Sequence, residues 1–347
     1  TTFSTPLIGL GYEMTSDYNE RTRLMGLANV VGQVAWMVVP WFWVLIANEN
    51  LFATQAEGVR TLAVIVGVIA IVFGILPAIF CRGIDSSKIE NRQEISFKEL
   101  ITIFAKLFKG MFEVFRHKPF LRLCGATFLV FNGFQIVASF SFFIILFYLF
   151  NGDYAAAGTW PAWFSTTLAV ITAFFVIPLV AWMAGKWGKR KAFIISTVIS
   201  IIGYVLKWWG FNPEHPFLMF LPLPLMAFGL GCLFTLMMSM TADVCDLDEL
   251  ENGMPRKEGT FGAIYWWTVK LGQALALIVG GAVLSWVGFD GNAATQSAET
   301  MAKLRIADVV IPSVTAALAI LVMWNYDLTE EKAREITAEL ESRRGSL

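Results

Sequence analysis

Eight apolar runs of roughly 20 residues recur along this chain, and the stretches between them hold almost all of its charge. A run of that length, wound at about 1.5 Å per residue, crosses the ~30 Å hydrocarbon core of a bilayer. Inside lipid a backbone N–H or C=O finds no water, so each run must satisfy these groups internally, as a helix. The runs lie near 24–46, 60–80, 120–150, 159–184, 192–210, 217–241, 260–287 and 304–326. Composition agrees: 56% of the 347 residues are hydrophobic and 15% charged, against about 25% charged in soluble domains. An ordinary soluble enzyme, a disulfide scaffold and a disordered chain are excluded together. A net charge of −1 gives no basis for a nucleic-acid partner. Cys81, Cys124, Cys232 and Cys245 form no C-x-x-C pair, and His117 and His215 sit beside prolines as loop polarity. No metal site, no cofactor and no enzymatic chemistry are expected.

The apolar stretch 1–10 is too short to cross a bilayer and has no basic start of a signal peptide. It reads as the end of a ninth helix, so the chain is expected to be an N-terminally truncated fragment. With eight alternating spans, 21 Lys and Arg fall on one side and 4 on the other (Arg60, Lys207, Lys303 and Arg305), with Lys270 inside a span. The basic side is expected to face the cytoplasm. The chain is then a multi-pass protein of the cell inner membrane with a cytoplasmic C-terminus.

The longest connection, 81–118, opens polar and turns periodic. Phe97, Leu100, Ile101, Phe104, Leu107, Phe108, Met111, Phe112 and Phe115 recur at helical spacing, with Ser96 and Glu99 placed as a capping box. This predicts an amphipathic helix on the membrane face, acting as a strap or as a docking segment. It divides the chain into a partial N-terminal bundle (1–80), a cytoplasmic linker (81–118), a C-terminal six-helix bundle (119–326) and a cytoplasmic tail (327–347). Six spans after the linker predict six before it in the intact protein.

Two cytoplasmic loops mix acids and bases. Residues 12–24 carry Glu13, Asp17, Glu20, Arg21 and Arg23; residues 241–262 carry Asp243, Asp246, Asp248, Glu249 and Glu251 ahead of Arg256 and Lys257. Carboxylates and guanidiniums this close can pair, and the pairs can break and reform as helix bundles rock. Asp17, Glu20, Arg21, Asp243, Asp246 and Arg256 are therefore candidates for a cytoplasmic gate. A Gly-Gln phrase follows each loop, at 32–33 and 272–273, as expected of two parallel repeats. A third loop, 185–191, reads Gly-Lys-Trp-Gly-Lys-Arg-Lys.

The order of Asp17-Tyr-x-Glu-Arg-Thr-Arg23, the central amphipathic connection, 185–191, and the Ala242-Asp…Glu-Gly259 motif resembles the glycoside–pentoside–hexuronide:cation symporters of the major facilitator superfamily. The resemblance covers the whole chain. It implies an all-α polytopic membrane protein of twelve helices in two halves, of which this chain holds helices 4–12: eight full transmembrane helices plus the end of a ninth. It implies a sugar site at mid-membrane, coupled to Na⁺ or H⁺, with the cation-binding acids in helices ahead of this chain.

Lys270, about ten residues into its span, is the clearest intramembrane charge, and such a group is a functional candidate by default. By the resemblance it matches a mid-helix lysine near the sugar and cation sites. Asn29 with Gln33, and Asn132 with Gln135 and Ser139, form polar stripes on single helix faces, and Gln273 lies a turn beyond Lys270. They could line a hydrated path or bond helix to helix. Tyr265, Trp266 and Trp267 could stack on a sugar or anchor at the interface. Where melibiose-type carriers have an Asp, an Arg and a Trp, this chain has Ser4, Asn29 and Phe234, which sets it apart from their galactoside pattern. The expected function is cation-coupled symport of a sugar or glycoside by a monomer. A carrier of amphiphiles or lysolipids on the same fold is the alternative, and a non-transporting sensor the distant one.

Overall fold

In a computed structural model of the chain the described residues are 7, 14, 18–46, 51–80, 117–253, 258–291 and 293–345. The amphipathic stretch 96–115 lies outside them, as do Ser4, Asp17 and Arg256. Twelve α-helices are described: α1 Tyr18–Ile46, α2 Gln55–Phe80, α3 Lys118–Phe143, α4 Tyr154–Ala157, α5 Trp160–Ile171, α6 Ile177–Trp187, α7 Lys189–Gly210, α8 Leu223–Cys232, α9 Met238–Asn252, α10 Glu258–Trp286, α11 Ala298–Trp324 and α12 Glu330–Gly345. Short π-helical segments extend α3 (Ile144–Leu149), join α5 to α6 (Thr172–Val176) and join α8 to α9 (Leu233–Met237). Eight helical stretches among the described residues are long and apolar enough to cross a membrane, and each overlaps one of the eight predicted runs.

The boundaries follow local chemistry. Prolines occupy the first turns of α3, α5, α6 and α8, where the missing N–H has no intrahelical partner to lose. Asp153 caps α4 by accepting from the amides of Ala155 and Ala156, and Ser297 caps α11 by accepting from Thr300. Gly188 breaks α6 from α7 at φ 82°, backbone that a side chain would strain.

The polarity of 241–252 predicts a loop, but the helix continues to Asn252 and stops at Gly253, φ 77°. Asp243, Asp246, Asp248 and Glu249 on this stretch are all buried. Polarity marks a loop only when the polar groups need water; here they meet protein instead. Likewise α1 starts at Tyr18, inside the segment 12–24 whose charge predicts a loop.

The bundle from 118 to 324 packs α3 against α10 and α11, and α7 against α8 and α11. Glycines set the closest approaches. A Cβ on Gly203 of α7 would lie 2.6 Å from the amide nitrogen of Met226 in α8. One core cluster runs from Phe120 and Phe193 to Leu340 at the end that carries α12; the other gathers Phe140, Tyr204, Met219 and Leu304 at the opposite end. α1 lies against α5 and α6, and α2 packs on α1.

Candidate functional site

A cavity of about 320 Å³ opens between α1 and the bundle. Its walls are largely aromatic and aliphatic: Trp36 and Trp43 from α1, Phe134 and Phe142 from α3, Tyr154 from α4, Phe164 from α5, and Met226 and Leu230 from α8. Gln33, Ser141 and Ser165 bring polar groups to it. An apolar pocket with a few placed polar groups is the usual form of a small-molecule site.

Asn29 and Gln33 are brought together on α1, where Gln33 Nε2 donates to Asn29 Oδ1 at 3.2 Å. Asn29 Nδ2 in turn donates to Thr235 Oγ1 at 3.2 Å, tying α1 to the π segment at 233–237. Gln33 is 2% exposed and its Oε1 has no hydrogen-bond partner among the described residues. A buried carbonyl oxygen at a cavity wall, left without a donor, is an acceptor that a solute hydroxyl can satisfy. Next to it Trp41 Nε1 donates to Thr166 Oγ1 at 2.8 Å, a second polar bond from α1 to the bundle.

The other predicted pathway residues lie on α3 and α10, away from this cavity. Asn132 Nδ2 donates to the Gly272 carbonyl at 3.1 Å, an interhelical bond. Gln135 and Gln273 are partly exposed. Lys270 is exposed, lies off the cavity wall, and has no ion pair or hydrogen bond among the described residues. Trp266 stacks on Phe234 at 6.0 Å and 17°, and its Nε1 has no hydrogen-bond partner among the described residues.

Of the gate candidates, Asp243 receives both short contacts of Lys189 Nζ, 2.9 Å to Oδ1 and 2.7 Å to Oδ2, with both side chains buried. Lys189 belongs to the 185–191 turn, so this pair joins the α6–α7 corner to α9. Asp246 is buried on the same helix. Glu20 and Arg21 fall within α1, with side chains outside the described set. His117, expected to be simple loop polarity, pairs with Asp248 at 2.9 Å and fastens the start of α3 to α9. Arg122 pairs with Asp327 at 2.8 Å, and Arg190 donates to the Trp324 carbonyl beyond which α11 ends.

Two charges assigned to the outer loops belong inside the helices. Lys207 is fully buried in α7 and pairs with Asp308 of α11 at 2.5 Å. Arg305 lies between the rings of Tyr148 and Trp208, 4.1 and 4.3 Å from their centroids. Residue order alone does not reveal this pair, because Lys207 sits one turn from the helix end, where a lysine normally reaches water. The signal available was Asp308, an acid inside an apolar run, which needs a cation nearby.

Comparison with known proteins places this architecture. The chain is 27% identical over 233 residues to the glucuronide carrier protein homolog of Escherichia coli (strain K12), covering 66% of this chain and 48% of that protein. It is 26% identical over 242 residues to the putative sulfoquinovose importer of the same organism, covering 69% and 49%. With the sodium-dependent lysophosphatidylcholine symporter 1 of Xenopus tropicalis it shares 22% identity over 284 residues, 78% of this chain and 49% of that one. The chain thus spans about half the length of these curated relatives. The profile of one family, described as MFS/sugar transport protein, matches residues 1–330. The chain belongs to this MFS/sugar transport family, a family of membrane transporters rather than enzymes, and its all-helical fold is that of the major facilitator superfamily.

Proposed function

We propose that this protein is a secondary transporter that carries a sugar or glycoside across the inner membrane by alternating access, coupled to Na⁺ or H⁺. The cavity between α1 and the 118–324 bundle carries this reading. Its Trp, Phe and Tyr rings offer faces for the C–H surfaces of a sugar, and Gln33, Ser141 and Ser165 offer hydrogen bonds for its hydroxyls. The glucuronide and sulfoquinovose names of two relatives support a polar, sugar-like solute. In this reading the end bearing the Lys189–Asp243 pair and α12 faces the cytoplasm, α1 belongs to the half that rocks against the bundle, and the two acidic–basic loops pair with each other at the cytoplasmic gate. The carrier works as a monomer. Lys270, on the exposed side of α10, takes part in cation coupling.

The test is uptake into proteoliposomes of p-nitrophenyl β-D-glucuronide under an imposed Na⁺ or H⁺ gradient. Gradient-driven accumulation is expected. No accumulation under either gradient overturns the reading. A lysolipid carrier is the second reading, favoured by the mostly apolar cavity wall and by the lysophosphatidylcholine symporter among the relatives. Lysophosphatidylcholine flux without sugar flux establishes it instead.

A further inference from the structure

The buried pair between α7 and α11 has no part in the reading so far, and its third partner leads into the cavity. Lys207 and Asp308 side chains are each 1% exposed, and Nζ lies 2.5 Å from Oδ2. Nζ also lies 3.1 Å from Oγ of Ser141 on α3. An ammonium carries donors only, so here the serine oxygen accepts. That leaves the Ser141 hydroxyl hydrogen to be placed. Thr172, Thr197, Thr241 and Ser313 donate theirs to the carbonyl one turn back in their own helices. Ser141 makes no such bond among the described residues, and it stands on the cavity wall.

The order of groups is therefore Asp308, Lys207, Ser141, cavity. The positive end of the ion pair faces the cavity through one hydroxyl whose hydrogen has no acceptor among the described residues. Asp308 Oδ1 has no hydrogen-bond partner among the described residues, so the carboxylate is held for Lys207 rather than for a network of its own. Arg305, a turn earlier on α11, is also near the pair and is occupied with Tyr148, Trp208 and the backbone. A buried ion pair is weak as a source of stability, since apolar residues of similar volume often do as well. Its value here lies in where it directs Ser141.

We propose that Ser141 is a specificity-determining hydrogen-bond donor to the transported solute, with Lys207 and Asp308 as its positioning residues. Together they select a solute that presents an acceptor oxygen at the α3 wall, an anionic oxygen in preference to a neutral one. This rests on the transport reading above.

The experiment compares p-nitrophenyl β-D-glucuronide with p-nitrophenyl β-D-glucoside, which differ only in a carboxylate against a hydroxymethyl group. KM and Vmax are measured for each in proteoliposomes of the intact protein. Ser141→Ala is expected to raise KM for the glucuronide about tenfold, the loss of one hydrogen bond to a charged group, with a smaller rise for the glucoside and little change in Vmax. Ser141→Thr keeps the hydroxyl and the preference. Lys207→Met alone strands Asp308 in the interior and can fail to fold, so the paired variant Lys207→Met/Asp308→Leu is used. It is expected to fold and to lose the glucuronide preference, and adding Ser141→Ala to it should change KM little further, because the three residues act as one unit. A purely structural role predicts lower thermal stability with the KM ratio of the two probes unchanged. An unchanged ratio in Ser141→Ala and in the paired variant, with the wild type transporting normally, overturns this proposal alone. Failure of the wild type to transport either probe overturns the transport reading and this proposal with it.

Discussion

Ionic side chains in this protein fall into two physical classes. Lys207–Asp308 is a buried pair in which each charge needs the other. Removing one partner of such a pair costs about 3–5 kcal/mol, because the survivor is left desolvated and unmatched. Lys270 is different: it is exposed and unpaired among the described residues, so truncating it strands nothing there. Lys270→Ala is therefore expected to express and melt like the wild type while losing gradient-driven uptake, with downhill exchange as the control. Wild-type accumulation in that variant removes Lys270 from the coupling site. The two classes were unequally visible in the residue order. Lys270 stands out because it lies deep in an apolar run. Lys207 does not, because a lysine a turn from a helix end looks the same whether it snorkels to water or turns inward. Which it does depends on Asp308, a hundred residues away on α11.

At the level of helices, the apolar run length sets each span, while small residues set how closely spans meet. Without a hydrophobic drive between helices in lipid, close backbone approach supplies the packing. Gly203 is the sharpest case, since a Cβ there would meet backbone atoms of Leu225 and Met226 at 3.0 and 2.6 Å. Backbone cannot rotate away as a side chain can. Gly203→Val should separate α7 from α8 and lower thermal stability by about 1–3 kcal/mol or more, the usual cost of overpacking. Gly280→Ala is the contrast: its nearest atom, Phe140 Cε1 at 3.9 Å, is in ordinary contact. That variant should melt no lower than the wild type, measured side by side in detergent. The spans were legible from hydropathy because bilayer thickness imposes their length. The extension of α9 through Asp243, Asp246 and Asp248 was not, since helix and loop differ there only in what the carboxylates meet.

Over the whole molecule, the cavity exists because α1 leans on α5 and α6 rather than standing apart from the bundle. The Trp41–Thr166 bond and the Thr166 hydroxyl donated to the Met37 carbonyl at 3.1 Å hold that contact. If transport rocks α1 against the bundle, fixing this contact must stop it. A Met37→Cys/Thr166→Cys variant, with the four native cysteines replaced, is expected to transport when reduced and to stop when oxidised, with reductant restoring uptake. Full transport after crosslinking, confirmed by a mobility shift, rules out motion at this boundary. The eight helices of bilayer length among the described residues were readable without coordinates, because lipid permits only helices of that length and each hydrophobic run declares one. The tertiary structure alone placed Gln33 and Ser141 on one cavity, seated Asp243 on Lys189, and turned Lys207 inward to Asp308. Those outcomes rest on contacts between helices far apart in the chain. Hydropathy records how much each residue prefers lipid to water, but not which partner meets it inside.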